Sequence, residues 1–131
     1  MQTDTTTHAG TAPLETDETN RLISSEKVDG TAVYNRDGDR LGTVHHLMID
    51  KYSGRVEYSV MSFGGFLGIG ESYHPLPWRS LTYDQRLGGY VCDVDRSRLE
   101  RAPRYTASNM PDWTDRSYRS RVDEYWTTPP V

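Results

Sequence analysis

The sequence has a single cysteine, Cys92, so it carries no intrachain disulfide framework and no multi-cysteine zinc site. No apolar run comes near the ~18 residues of a membrane-spanning helix. The first ten residues, MQTDTTTHAG, lack the basic and apolar blocks of a signal peptide, which points to a cytoplasmic location. Positive charge is not in excess either: 15 basic against 19 acidic side chains leave a formal net charge of -4. That excludes a strongly basic nucleic-acid coat and a polybasic membrane binder. Apolar side chains are sparse at 34% of 131 residues, where ~45–50% is usual with glycine counted in. A chain of about one domain's length therefore holds a small core, or a core with unpacked segments attached.

Residues 1–20 read as such a segment. Seven of them are threonine, Leu14 is the one large aliphatic side chain, and Asp4, Glu15, Asp17 and Glu18 have no basic partner before Arg21. So little apolar surface does not offset the entropy of ordering, and the segment is expected to be a disordered tail. From Val28 onward short apolar runs recur between turn signals, the texture of an all-β chain. Strands are expected at Thr31–Tyr34, Thr43–Asp50, Arg55–Phe63, Leu81–Asp84 and Tyr90–Val94. Asp37-Gly38 supplies the positive-φ positions of a hairpin. In Arg55–Phe63, Val56, Tyr58 and Val60 alternate with Arg55, Glu57 and Ser59, which predicts a sheet with one dry face, an antiparallel barrel or sandwich. Pro75 and Pro77 each remove a ladder donor and place Tyr73–Trp78 at a sheet edge. Arg96–Arg101 is expected to form a helical turn that Pro103 stops. In Asp112–Trp126, which has neither glycine nor proline, Tyr118, Val122, Tyr125 and Trp126 form one stripe of a helix. An aromatic stripe of that kind has to dock, on the barrel or on a second chain.

The constellations that could carry chemistry fail one by one. Gly65 and Gly70 followed by Glu71-Ser72 have P-loop spacing, but Glu71 stands where a lysine should hold phosphates. Asn35, Asp37 and Asp39 open like a calcium loop, yet the positions that need glycine and a bidentate glutamate are Arg40 and His46. His45 and His46 are adjacent on a strand and are expected on opposite faces; a His46–His74 pairing is the remaining metal option. Cys92 shares a strand face with Tyr90 and Val94 and reads as an inert buried thiol. Asp37 with Arg40 and Asp93 with Arg96 read as solvated ion pairs. Catalytic, cofactor-binding and metal-binding residues are therefore expected to be absent. The glycine segment carries Phe66, Leu67 and Ile69, which have to fold back on the core or meet a partner.

Leu22 to Pro103 resembles a PRC-barrel domain, the small β-barrel found in the cytoplasmic part of the photosynthetic reaction centre H subunit. The family also includes a domain of a ribosomal RNA maturation factor and many stand-alone bacterial proteins. The resemblance rests on Val28–Tyr34 as a first strand, on the Asp37–Val44 hairpin with its Gly38-x-x-Leu41-Gly42-x-Val44 pattern, and on Gly54–Tyr58. Gly64–Trp78 and the segment from Asp112 to Trp126 are similar to the stand-alone bacterial branch. The resemblance implies a small antiparallel barrel over residues 21–103, a C-terminal extension over 104–131, and a non-catalytic module for contact and assembly without a cofactor. A barrel of about 75 residues buries little surface, so a homodimer is expected. Its contact is expected to use Phe66, Leu67, Ile69, Tyr73, Trp78, Tyr118, Val122, Tyr125 and Trp126. An RNA- or ribosome-associated module and a small ligand-binding or hydrolytic barrel are the alternatives from other classes; nucleic-acid binding is the weaker expectation because charge does not favour it.

Overall fold

The computed structural model describes residues 21–63 and 72–127. The tail at 1–20 and the Phe66, Leu67 and Ile69 segment lie outside the described residues. Six strands form one sheet: β1 Ala32–Tyr34, β2 Arg40–Ile49, β3 Val56–Phe63, β4 Ser72–Pro77, β5 Leu81–Asp84 and β6 Gly89–Cys92. Three helices accompany them: α1 Ser25–Val28, α2 Arg96–Arg101 and α3 Arg116–Thr127. The strand order is β4-β3-β2-β1-β6-β5.

The expected closed antiparallel barrel is corrected here to an open, mixed sheet. β1 and β6 run parallel, and β4 and β5 are its two edges. The cause lies at Trp78–Ser80. This short 3₁₀ turn joins β4 to β5 without reversing the chain. A hairpin there would have kept every neighbour antiparallel. Because the chain runs on in the same sense, β6 returns alongside β1. Three residues thus span from one edge strand to the other, so the sheet has to curl like part of a barrel although no ladder closes it. Val28, expected at the start of the first strand, instead ends α1, which Ser24 caps by accepting the Glu26 N–H at 3.2 Å.

The turns follow their residues. Asn35 Oδ1 accepts the N–H groups of Asp37 and Asp39, at 3.0 and 2.9 Å, which makes the calcium-like run an ordinary Asx turn. Asp50 Oδ1 accepts from Tyr52 and Ser53 N–H in the same way. Asp95 caps α2 through the Arg98 N–H at 2.8 Å.

The core gathers on one side of the sheet from Val33, Leu41, Val44, Met61, Phe63, Leu76, Tyr90, Cys92 and Val94, with Val28 and Leu99 from α1 and α2. The expectation of one dry face fails on β3, where every residue from Tyr58 to Phe63 is buried. Odd positions face the core; Tyr58 and Val60 lie on the second face, which the C-terminal extension covers. At Gly42 β2 and β3 approach so closely that a Cβ there would press into the Ser62 carbonyl. Gly42→Ala is expected to cost about 2 kcal/mol through forced separation of the two strands. A urea midpoint unchanged from the parent would overturn that.

Candidate interaction surface

The C-terminal extension builds the surface beyond the sheet. Tyr105 forms an antiparallel bridge with Tyr73 on edge strand β4, with N–H to O distances of 2.8 and 2.9 Å. Together with Pro75 and Pro77 this blunts the β4 edge. Tyr73 also stacks on His45, ring centroids 4.5 Å apart, and lies 5.4 Å from the Tyr105 ring. The layer continues through Tyr58, Trp113 and Tyr118, with centroid spacings of 5.3 and 5.4 Å. The Tyr58 hydroxyl donates to the Asp123 carboxylate at 3.2 Å; burial first, and that carboxylate second, push its pKa up to about 12.

α3 starts at Arg116 rather than Asp112, because Asp112 and Asp115 each fold a turn around their own carboxylate. Asp112 accepts from Thr114 N–H and Oγ1, and Asp115 from Ser117 N–H and Oγ. The stripe faces inward as its spacing predicts: Val122 is fully buried, and Tyr118, Tyr125 and Trp126 are half-buried. α3 packs against β4. Its last turn is held by Arg98 of α2. Arg98 Nη2 donates to the Tyr125 carbonyl at 2.6 Å, and the Tyr125 hydroxyl donates to the Arg98 carbonyl at 2.6 Å. The same guanidinium sits 5.0 Å from the Tyr125 ring centroid and 5.6 Å from that of Trp126.

Of the expected contact residues, Tyr73, Trp78, Tyr118, Val122, Tyr125 and Trp126 therefore all engage their own chain. Trp78 packs on the core, edge-on to Tyr90 at 5.5 Å. The histidines are rearranged relative to expectation. A β-bulge between Val44 and His46 shifts the strand's phase, so that the His45 and His46 rings meet at 5.0 Å on the Tyr73 side. His74 pairs with Met61 and faces the core, so the structure does not bring His46 and His74 together. Among the described residues no group of three or more metal-ligating side chains is found. Asp93 pairs with Arg36 at 3.3 Å, not with Arg96, whose guanidinium donates to the Arg40 carbonyl at 2.9 Å.

Burial lifts the Cys92 thiol to about 12, far above the range in which a thiolate attacks. Burial also lowers His74 to about 4, so it is neutral at physiological pH. Sequence reasoning missed an open cleft of about 1480 Å³ between the Asn35–Asp37 turn, α2 and α3. Arg36, Arg98, Arg101, Arg104 and Arg121 line it beside Tyr118 and Tyr125. Arg98, Arg101 and Arg104 are close in sequence, but Arg36 and Arg121 join them only through the fold, so the sequence does not announce the cleft.

The family model of the PRC-barrel domain matches residues 21–99. No curated protein matches the chain.

Proposed function

Because the chain belongs to the PRC-barrel domain family, whose domains are non-catalytic protein-interaction modules, we propose that it is an assembly protein. It works as a cytoplasmic homodimer joined through the β5 edge of its sheet. The observation that carries this reading is the contrast between the two edges. β4 is blunted by two prolines and by Tyr105. β5 ends the sheet with no further strand beside it among the described residues. Its hairpin presents Tyr83 and Leu87 to solvent, 42% and 38% exposed. An uncovered edge invites a strand from another molecule, and a two-fold axis lets each copy supply the same one. The exposed apolar side chains add the contact area that ladder bonds alone lack. Phe66, Leu67 and Ile69, which lie outside the described residues, are the second contact of this proposal. Of the family's settings, the stand-alone bacterial form fits best, because residues 104–127 pack on the chain's own sheet.

The test is the mass of the pure protein by light scattering, paired with Thr82→Pro and Leu87→Asp in one variant. The parent is expected at twice its 15.0 kDa chain mass, and the variant at the chain mass with its circular dichroism unchanged. A monomeric parent removes the dimer. A variant that stays dimeric moves the contact away from β5, to the Phe66–Ile69 segment.

A further inference from the structure

Charge is segregated along this chain in a way that the net value hides. The four carboxylates of residues 1–20 equal the whole formal charge of -4, so residues 21–131 balance to zero. Within that neutral part, the stretch from 96 to 121 holds seven arginines against three carboxylates. The fold brings four of these arginines, Arg98, Arg101, Arg104 and Arg121, to the walls of the cleft between α2 and α3 and adds Arg36 from the β1–β2 turn.

Several charges of the cleft are already used. Asp93 is paired with Arg36, and the Asp95 carboxylate caps α2, accepting from Arg98 N–H at 2.8 Å and Ser97 Oγ at 3.0 Å. Arg101, Arg104 and Arg121 are exposed and make no ion pair among the described residues. Arg121 lies over the Tyr118 ring at 5.6 Å, and the Tyr118 hydroxyl, also on this wall, is buried with no hydrogen-bond partner. Three unpaired guanidiniums beside two tyrosines form a receptor for carboxylates, since each planar fork takes a carboxylate with two parallel N–H bonds.

We infer that the cleft between α2 and α3 is a docking site for an acidic peptide, and that its occupant is the chain's own residues 1–20, with Asp4, Glu15, Asp17 and Glu18 meeting Arg101, Arg104 and Arg121. Complementary charge selects this segment: it holds four carboxylates and no lysine or arginine. Its length permits the contact, because twenty extended residues reach up to ~66 Å, beyond the breadth of a domain of this size. A nucleic acid fits less well, because Asp37 and Glu124 break the positive charge of the cleft into patches, which spaced carboxylates can avoid and a continuous run of phosphates cannot. The site differs from the β5 edge, so this inference stands or falls apart from the dimer.

The experiment uses the full chain with its tail neutralised by Asp4→Asn, Glu15→Gln, Asp17→Asn and Glu18→Gln. A fluorescein-labelled synthetic peptide of residues 1–20 is titrated against it and followed by anisotropy. Saturable binding is expected, weakening as salt screens the contact. Binding to the unaltered chain should be at least about tenfold weaker, because a tethered tail competes at high effective concentration. Arg101→Glu with Arg121→Glu should abolish binding, and Arg104→Gln should weaken it, with circular dichroism unchanged since all three side chains are exposed. A peptide carrying the same four neutralised residues should not bind. Absence of binding, equal binding to both chains, or tighter Arg101-dependent binding of a single-stranded RNA oligomer would each overturn the inference. The light-scattering mass reads the assembly proposal separately.

Discussion

Arg98→Ala is expected to be the most damaging single truncation outside the core, lowering unfolding stability by about 3 kcal/mol. The side chain donates a charged hydrogen bond to the Tyr125 carbonyl at 2.6 Å, a contact of ~1.5–3 kcal/mol when the donor is ionised. It also lies over two aromatic rings, each cation–π contact adding ~0.5–1 kcal/mol where partly exposed. Tyr125→Phe deletes the reciprocal bond from the hydroxyl to the Arg98 carbonyl and should cost about 1 kcal/mol, the ordinary worth of a neutral pair. Urea unfolding followed by tryptophan fluorescence measures both, and the double variant should fall short of additivity because the two bonds hold the same junction of α2 and α3. An Arg98→Ala midpoint equal to the parent's would mean that Val122 and the aromatic stripe hold α3 without the clamp.

The second large effect is a dependence on pH. His74 is fully buried, and neither ring nitrogen has a hydrogen-bond partner. Burial, and after it the charge of Arg104, lower its pKa from 6.5 to about 4. In the unfolded chain the ring takes up a proton below pH 6.5; in the folded chain it does so only below about 4. Between those values the unfolded state holds more protons, so stability falls as pH falls through the window. The gap corresponds to about 3 kcal/mol, lost by the time pH reaches about 4. His74→Met should flatten the slope and, by removing two unmatched polar atoms, should leave stability at pH 7 equal or higher. His46 is also lowered, by burial and by His45, so His46→Gln is the control that should keep most of the slope. The carboxylates of Asp50, Asp95, Asp112 and Asp115, held down chiefly by hydrogen bonds from nearby N–H and hydroxyl groups, lose their contributions only below the ordinary carboxylate range. A slope between pH 4 and 6.5 that persists in His74→Met would overturn this account.

What was legible in the sequence was local. Asn35 and Asp37-Gly38 announced their turn because the chemistry that makes it lies within five residues. Pro75 and Pro77 announced an edge because a missing N–H is a property of the residue itself. β5 and α2 fell where their patterns put them. What was not legible depends on distance along the chain. The parallel β1–β6 pair follows from whether Trp78–Ser80 reverses the chain, and nothing in Trp-Arg-Ser declares that. The bulge at His45 compensates a register set by β3, so alternation read along β2 alone put the two histidines on opposite faces. The inward face of α3 was visible in Tyr118, Val122, Tyr125 and Trp126, but the Arg98 clamp joins residues 27 positions apart. The arginine cleft likewise exists only once three segments meet.

The link of three residues from β4 to β5 sets where this molecule should breathe. Among the described residues no ladder joins β4 to β5, so between these two edges the covalent link is what resists parting. Elsewhere each rupture has to break a ladder. Amide exchange should therefore be fastest at that seam, and a small molecule wedged there would prise the sheet flat without unpairing a single strand.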